Sequence, residues 1–249
     1  MKIPAFLLVL ALALPAAAEP RFPPVSEADL ALVFEAMART WLAESPIGGG
    51  TRARLTERYY RPEHAQAFAR ELTRALATRG VAPDDPHYGD MQAYLTAAVF
   101  QQSNGQPDAL STHGRPGEPI GEDVGAYQLR RGTARCQWAK VYPDRPYPKG
   151  RDAETAALTD LATAAPLWVN HALDARRTCD DLLRTTTKRK LGKIPPYCQK
   201  PACSLTVSCW LIRDFFGVGT TNGNATNVIK WGRAYERALR AVRGGEGEG

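Results

Sequence analysis

Apolar residues recur at helical spacing along most of this chain, and this periodicity limits the folds that it can adopt. In residues 27–43, apolar side chains fall at positions 30, 33, 34, 37 and 41. That spacing puts them on one face of an α-helix. Ser26 precedes the segment as an N-cap residue, and Ser45-Pro46 and Gly48-Gly49-Gly50 follow it as stop signals. The sequence therefore predicts an amphipathic helix over residues 27–43.

Later segments show a similar helical pattern, and runs that alternate between apolar and polar residues are scarce. We therefore expect a mainly α fold with at most a small hairpin. Pro166 should kink or divide the fourth of the predicted helices. The predicted helices cover residues 27–43, 62–79, 88–102, 153–177, 204–216 and 225–243. Residues 127–136 are predicted to be a strand or the start of a short helix. The predicted loops cover residues 105–124, 142–150 and 182–202.

The first 18 residues have the features of an export signal. Lys2 gives a positive start, an apolar run covers residues 5–14, and small residues precede Glu19. A bilayer span needs about 20 apolar residues, so an uncleaved anchor helix is the less favoured alternative. We expect a periplasmic or secreted protein with no stable membrane span after cleavage.

The exported part is long enough to bury one core, and the predicted organisation follows the helices. We expect a signal peptide over residues 1–18, an N-terminal helical extension over 19–86, a main domain over 87–243 and a disordered tail over 244–249. The net charge of the whole chain is +6, but no basic run is interleaved with aromatic residues. A nucleic-acid partner is therefore not expected.

The cysteines favour disulfides. The chain has five, at positions 136, 179, 198, 203 and 209. In an oxidising compartment they are expected to pair, and two bridges would leave one over, with the pairing left open. A zinc site is disfavoured because the spacing is wide and no histidine follows at ligand distance. We expect neither a metal nor a cofactor.

The most specific pattern lies in residues 101–134. It begins with Gln102-Ser103 and continues through Pro107, Ala109 and Ser111; after an insertion it resumes with the segments Gly125–Leu129 and Thr133-Ala134. In order and spacing it resembles the core of the lytic transglycosylases, which share the lysozyme fold and cut bacterial cell-wall glycan. The resemblance implies an α+β lysozyme-like domain.

The resemblance also assigns site residues. Gln102 stands where the family has its catalytic glutamate, at the end of a helix. Ser103, Tyr127 and Gln128 are then expected to bind substrate. Asn222, in a Thr-Asn-Gly segment that resembles the family's Tyr-Asn-Gly, would line the opposite wall of the cleft.

With Gln102 at the position of the acid, glycan binding and glycan cleavage have to be predicted separately. An amide can donate and accept hydrogen bonds but has no proton to transfer near neutral pH, and general acid–base catalysis contributes roughly 10²–10⁴-fold. Three explanations fit: a natural binding protein that has lost its acid, a deliberate Glu-to-Gln replacement, or a substitute acid. Glu118, Glu122 and Asp123 lie in the insertion before Gly125 and could take over, with Glu122-Asp123 the better candidate because it lies next to the Gln128 segment.

The sequence thus predicts an exported protein that acts on peptidoglycan. It either cleaves the glycan strand as a lytic transglycosylase or, if Gln102 abolishes acid catalysis, only binds it. The alternative is a disulfide-braced envelope protein that docks a protein partner without glycan chemistry. A glycan cleft requires Gln102, Gln128 and Asn222 to converge on one open groove, whereas a docking protein should have that groove filled.

Overall fold

The described part of the chain folds into eight helices and one short antiparallel hairpin. The structure, a computed structural model, describes residues 22–86, 88–112, 120–185 and 222–244, with only the backbone for residues 175–185 and 222–229. The elements in chain order are α1 (Glu27–Glu44), α2 (Gly49–Tyr59), α3 (Pro62–Thr78), α4 (Tyr88–Ser103), β1 (Asp123–Val124), β2 (Leu129–Arg130), α5 (Arg131–Val141), α6 (Arg151–Thr159), α7 (Leu161–Thr185) and α8 (Asn222–Gly244).

The mainly α fold is confirmed, and α1, α3, α4 and α8 lie close to the predicted ranges. Ser26 caps α1 as expected, because its hydroxyl accepts a hydrogen bond of 3.1 Å from the Asp29 amide. None of the described helices combines the length and apolar character that a membrane crossing requires. The predicted signal peptide, the loop after residue 185, the helix over 204–216 and the end of the tail lie outside the described residues.

One core joins the N-terminal helices to the rest of the chain. Helix α1 packs against α3 and α8, while α8 also packs against α4, and α3 against α7. At the centre, the Phe34 ring lies 4.5 Å from the Phe68 ring and 4.8 Å from the Phe100 ring, which contacts Trp231 at 5.3 Å. The expected division at residue 86 therefore does not separate two cores.

Two helix boundaries differ from the sequence-based expectations. Gly48-Gly49-Gly50 follows the end of α1 as expected, but Gly48 is also the N-cap of α2, a helix that was not predicted from the sequence. The break in the long helical segment lies at Asp160, whereas Pro166 is inside α7. The Asp160 carboxylate accepts hydrogen bonds from the Thr163 amide at 3.1 Å and the Thr163 hydroxyl at 2.6 Å, so it caps α7.

The N-terminal segment before α1 is clamped to α4. The fully buried amide of Gln92 donates to the Val25 carbonyl and accepts from the Val25 amide, both at 3.0 Å. The Asp90 carboxylate accepts from the Phe22 amide at 2.8 Å. A Cβ atom on Gly89 would lie 2.2 Å from the Phe22 carbonyl oxygen, so only glycine admits this close approach.

The expected small hairpin is present and lies between α4 and α5. Val124 of β1 pairs with Leu129 of β2, and Leu110 bridges to Val124 on its other side. The hairpin packs against α5 and α6. This arrangement holds the turn of the hairpin beside the C-terminal end of α4.

Candidate functional site

The site begins where α4 ends. Asn104 and Gly105 follow the helix with positive φ angles of 55° and 79°. Their amides donate to the carbonyls of Phe100 at 3.0 Å and Val99 at 3.3 Å, which closes the helix in a left-handed C-cap. As a result, Gln102 sits in the last turn, at the edge of the loop that follows.

An open groove of about 320 Å³ lies at this helix end. We call it the Gln102 groove. Its lining is mainly polar and comes from α4, the following loop and the hairpin turn: Gln102, Ser103, Asn104, Gln106, Ala109, Leu110, Ser111, Thr112 and Gln128. The structure thus brings together three of the predicted site residues, Gln102, Ser103 and Gln128. The side chain of Asn222, the first residue of α8, lies outside the described residues.

Gln102 and Ser103 play different parts in the groove. The Gln102 side chain is partly exposed, and its amide makes no hydrogen bond to any described residue. The Ser103 hydroxyl is buried and lies within donating distance of the Val99 carbonyl at 3.0 Å and the Ala126 carbonyl at 2.7 Å. Gln102 is therefore free to contact a ligand, whereas Ser103 ties the hairpin turn to α4.

Gln128 joins the hairpin turn to the loop that follows α4. It has a φ of 47°, in the left-handed region. Its Nε2 donates to the carbonyls of Ala109 at 3.0 Å and Gly125 at 2.9 Å. Both amide protons are used in this way, and Oε1 has no partner among the described residues. Gln128 can thus present an acceptor to a hydroxyl group in the groove.

Gly125 is required by the geometry of the turn. Its φ is 80°, and a Cβ atom would lie 2.1 Å from the Leu158 carbonyl oxygen at the end of α6. Its amide donates to the Ala109 carbonyl at 2.8 Å. Glycine alone satisfies both the left-handed conformation and the close approach.

Ser111 fixes the start of the insertion. Its amide donates to the Asp123 carbonyl at 3.0 Å, and its hydroxyl accepts from the Asp123 amide at 3.2 Å. The Gly121 amide also donates to the Ser111 carbonyl at 3.0 Å. The two ends of the insertion are therefore held together, although residues 113–119 lie outside the described residues.

Tyr127 does not line the groove, contrary to the expectation that it binds substrate. Only 1% of its surface is exposed, and its ring stacks on Trp168 at 5.8 Å and contacts Phe68 at 6.3 Å. Burial raises the pKa of its hydroxyl well above the ordinary value. Turn residues alternate between groove and core here, and the sequence alone does not indicate which of Tyr127 and Gln128 points inward.

No described residue that lines the groove carries a carboxyl group. Glu122 and Asp123, two of the substitute acids, are not part of the lining, and Glu122 pairs with Arg151 at 3.1 Å. Glu118, the third, lies outside the described residues. Asp108, next to the groove, pairs with Arg58 at 2.6 Å.

Helix α2 also braces the groove, a contribution that was not predicted from the sequence. The Tyr60 hydroxyl, just after α2, donates to the Asn104 carbonyl at 2.6 Å, and burial raises the pKa of that hydroxyl. Arg58 of α2 pairs with Asp108 in the groove loop. The sequence signal was the adjacent pair Tyr59-Tyr60 in an otherwise polar segment, which marks a buried contact but not its partner.

A buried ion pair supports the hairpin from the other side. Arg131 and Glu154 are 6% and 8% exposed, and their Nη1 and Oε2 atoms lie 3.0 Å apart. Arg131 also donates to the Gly121 carbonyl at 3.2 Å and the Thr155 hydroxyl at 2.7 Å. These bonds connect the end of the insertion to α6.

The predicted disulfides stay a prediction. Cys136 lies exposed on α5 and has no disulfide partner among the described residues, and the side chains of the other cysteines lie outside them. The described residues contain no cluster of three or more His, Cys, Asp or Glu side chains that could hold a metal ion.

Comparison of the chain with protein-family models, curated proteins and solved structures finds no significant match.

Proposed function

We propose that this protein is exported and binds the glycan strand of peptidoglycan in the Gln102 groove, without the acid catalysis of lytic transglycosylases. The observation that carries the proposal is the convergence of Gln102, Ser103 and Gln128 on one open groove. The motif resemblance predicts this convergence from positions that are up to 26 residues apart in the sequence.

The chemistry of the groove suits a sugar chain. Sugars offer many hydroxyl groups and a few apolar C–H faces. The lining supplies side-chain amides, hydroxyls and two apolar residues, Ala109 and Leu110, of which Leu110 is 48% exposed. The free amide of Gln102 and the free Oε1 of Gln128 can each form hydrogen bonds to hydroxyl groups. A protein that only docks a partner is expected to have this groove filled, whereas among the described residues it is open.

Cleavage requires a proton for the leaving oxygen, and the described lining does not provide one. The Gln102 amide does not titrate near neutral pH, and Glu122 is held by Arg151 outside the lining. A retaining or ring-closing mechanism needs a carboxyl group at this point. The unmodified chain is therefore expected to bind glycan through the shape of the groove and its hydrogen bonds. It should cleave glycan at least about 100-fold more slowly than a variant with the acid restored.

The test compares the chain with Gln102→Glu and with a matched control, Gln106→Glu. Gln106 lines the same groove but follows the end of α4, so its carboxylate adds the same charge without occupying the acid position. Purified glycan strands are incubated with each protein, sedimented to measure binding, and analysed for anhydro-muropeptides. We expect binding by the unmodified chain, product from Gln102→Glu and no product from Gln106→Glu.

Two results would change the conclusion. Product from the unmodified chain that disappears in Glu118→Gln would assign the acid to Glu118. Absence of both binding and product in the unmodified chain and in Gln102→Glu would reject the peptidoglycan function, provided that both proteins remain folded by circular dichroism.

A further inference from the structure

A second groove lies where the C-terminal ends of α3 and α5 meet the first turns of α7. Its volume is about 400 Å³, and three arginines, Arg74, Arg79 and Arg145, line it with Tyr142 and Thr163. We call it the arginine groove. It shares no lining residue with the Gln102 groove.

Arg145 is positioned by aromatic rings and not by a carboxylate. Its guanidinium carbon lies 5.0 Å from the centre of the Trp138 ring and 5.6 Å from that of Tyr142. Trp138 is held in turn, because its indole N–H donates to the Arg145 carbonyl at 2.8 Å. Among the described residues, no acceptor takes a hydrogen bond from the Arg145 guanidinium, so its donors remain available.

Arg79 also keeps unused donors. Its Nη2 donates to Asn170 Oδ1 at 2.6 Å, and Asn170 is itself fixed by a 2.6 Å hydrogen bond to Gln137 Oε1. Its Nε is buried and has no partner among the described residues. A buried donor without an acceptor is costly, and it marks Arg79 as a side chain whose hydrogen-bonding capacity the fold does not fully use.

The charges around the groove leave a positive excess. Two carboxylates contact residues that line it, and neither is itself part of the lining. Glu71 lies 3.6 Å from Arg74, beyond the usual hydrogen-bond distance. Asp160 is used as the cap of α7. Burial raises the pKa of the Tyr142 hydroxyl, against the opposing positive charge of Arg145, and the charges of Asp160, Arg74 and Arg79 also act on it. Three guanidinium groups and one carboxylate, that of Asp160, thus act on the Tyr142 hydroxyl.

We propose that the arginine groove binds a phosphate group. Guanidinium groups present paired donors that match phosphate oxygens, and here their side chains are held by rings and by Asn170 before any ligand arrives. A ligand with a single carboxylate would need only one guanidinium group as its partner, whereas this groove offers three. The phosphate is either a free ion or part of a phosphodiester. The site is independent of the Gln102 groove.

The experiment titrates the full chain with inorganic phosphate at low ionic strength and follows binding by calorimetry. The test variant is Arg145→Gln, which removes an exposed guanidinium without touching a hydrogen bond of the fold, and Arg74→Gln is a second variant. The matched control is Arg39→Gln, an exposed arginine of α1 that pairs with Glu35. We expect saturable binding that weakens about tenfold or more in Arg145→Gln and is unchanged in Arg39→Gln.

Further arms identify the source of the phosphate. Tighter binding of dimethyl phosphate than of inorganic phosphate would assign the groove to a phosphodiester, and the reverse order would assign it to the free ion. Three outcomes would overturn the proposal: no saturable binding of either probe, equal weakening in Arg39→Gln, or acetate that binds as tightly as phosphate.

Discussion

At the residue scale, two left-handed backbone positions set the shape of the Gln102 groove. Gly125 and Gln128 begin and end the hairpin turn with φ angles of 80° and 47°. The first lets the turn approach α6, and the second directs a side-chain amide to the Ala109 and Gly125 carbonyls. The spacing of these two residues therefore has a mechanical reason in the backbone of the turn.

Replacement of Gly125 by alanine should destabilise the fold and deform the groove. The new Cβ would lie 2.1 Å from the Leu158 carbonyl oxygen in a left-handed conformation. We expect a loss on the order of 3 kcal/mol in the free energy of unfolding, measured by urea denaturation. The control is Gly132→Ala on an open face of α5, where alanine should be neutral or stabilise by about 0.5–1 kcal/mol. Equal effects of the two substitutions would contradict this account of the turn.

Loss of the Glu154 carboxylate should also be costly. Glu154→Leu would leave the buried guanidinium of Arg131 without its carboxylate, and we expect a loss of about 3–5 kcal/mol in the free energy of unfolding. Glu57→Leu is the control, because Glu57 pairs with Arg61 at an exposed site where such pairs contribute about 0.5 kcal/mol. Similar denaturation midpoints for the two variants would show that the buried pair does not support the hairpin.

At the element scale, periodicity predicted the helices whose apolar faces are buried, and failed where the helix ends depend on local caps. Helix α1 followed from its spaced apolar residues, whereas α2 is largely polar and exposed, so no stripe marks it. The break before α7 was assigned to Pro166, but the Asp160–Thr163 cap determines it. Pro166 lies inside α7, and the helix continues through it although an interior proline removes one backbone hydrogen bond.

In the candidate site, too, some residues could be predicted from the sequence and others could not. Gln102, Ser103 and Gln128 could be predicted because one motif specifies them. The supports from Tyr60 and Glu154 could not, since each acts on the groove from a separate helix 23 or more residues away in the sequence. The Tyr127 prediction failed because motif spacing does not say which side of a turn faces the core.

The clamp between α4 and the N-terminal segment is an element-scale device that can be tested. Gln92→Leu removes both hydrogen bonds to Val25, and each buried polar group left unsatisfied costs about 1–3 kcal/mol unless the segment detaches. We expect lower stability and faster hydrogen exchange at the Val25 amide, measured by NMR. Gln66→Leu, on an exposed face of α3, is the control and should change neither quantity. Unchanged exchange in Gln92→Leu would mean that the clamp does not hold the segment.

At the scale of the whole molecule, the N-terminal helices are part of the core that carries the site. Leu30, Val33, Phe34 and Met37 of α1 are at most 2% exposed, and α1 covers faces of both α3 and α8. Tyr60 after α2 bonds to the loop beneath Gln102. The division that the sequence suggested at residue 86 would therefore cut through one core.

A chain that begins at residue 87 should consequently fail to fold cooperatively. Without α1 and α3, the apolar faces of α4, α7 and α8 would be exposed, and a core cut in this way loses a large part of the burial that stabilises it. We expect no sharp thermal transition by circular dichroism and strong binding of a hydrophobic dye, whereas a control chain that begins at residue 22 should unfold as the full protein does. A cooperative transition in the shorter chain would show that the domain is independent and that the N-terminal helices only extend it. The expected result would instead place α1 to α3 among the parts that any folded variant of this protein must keep.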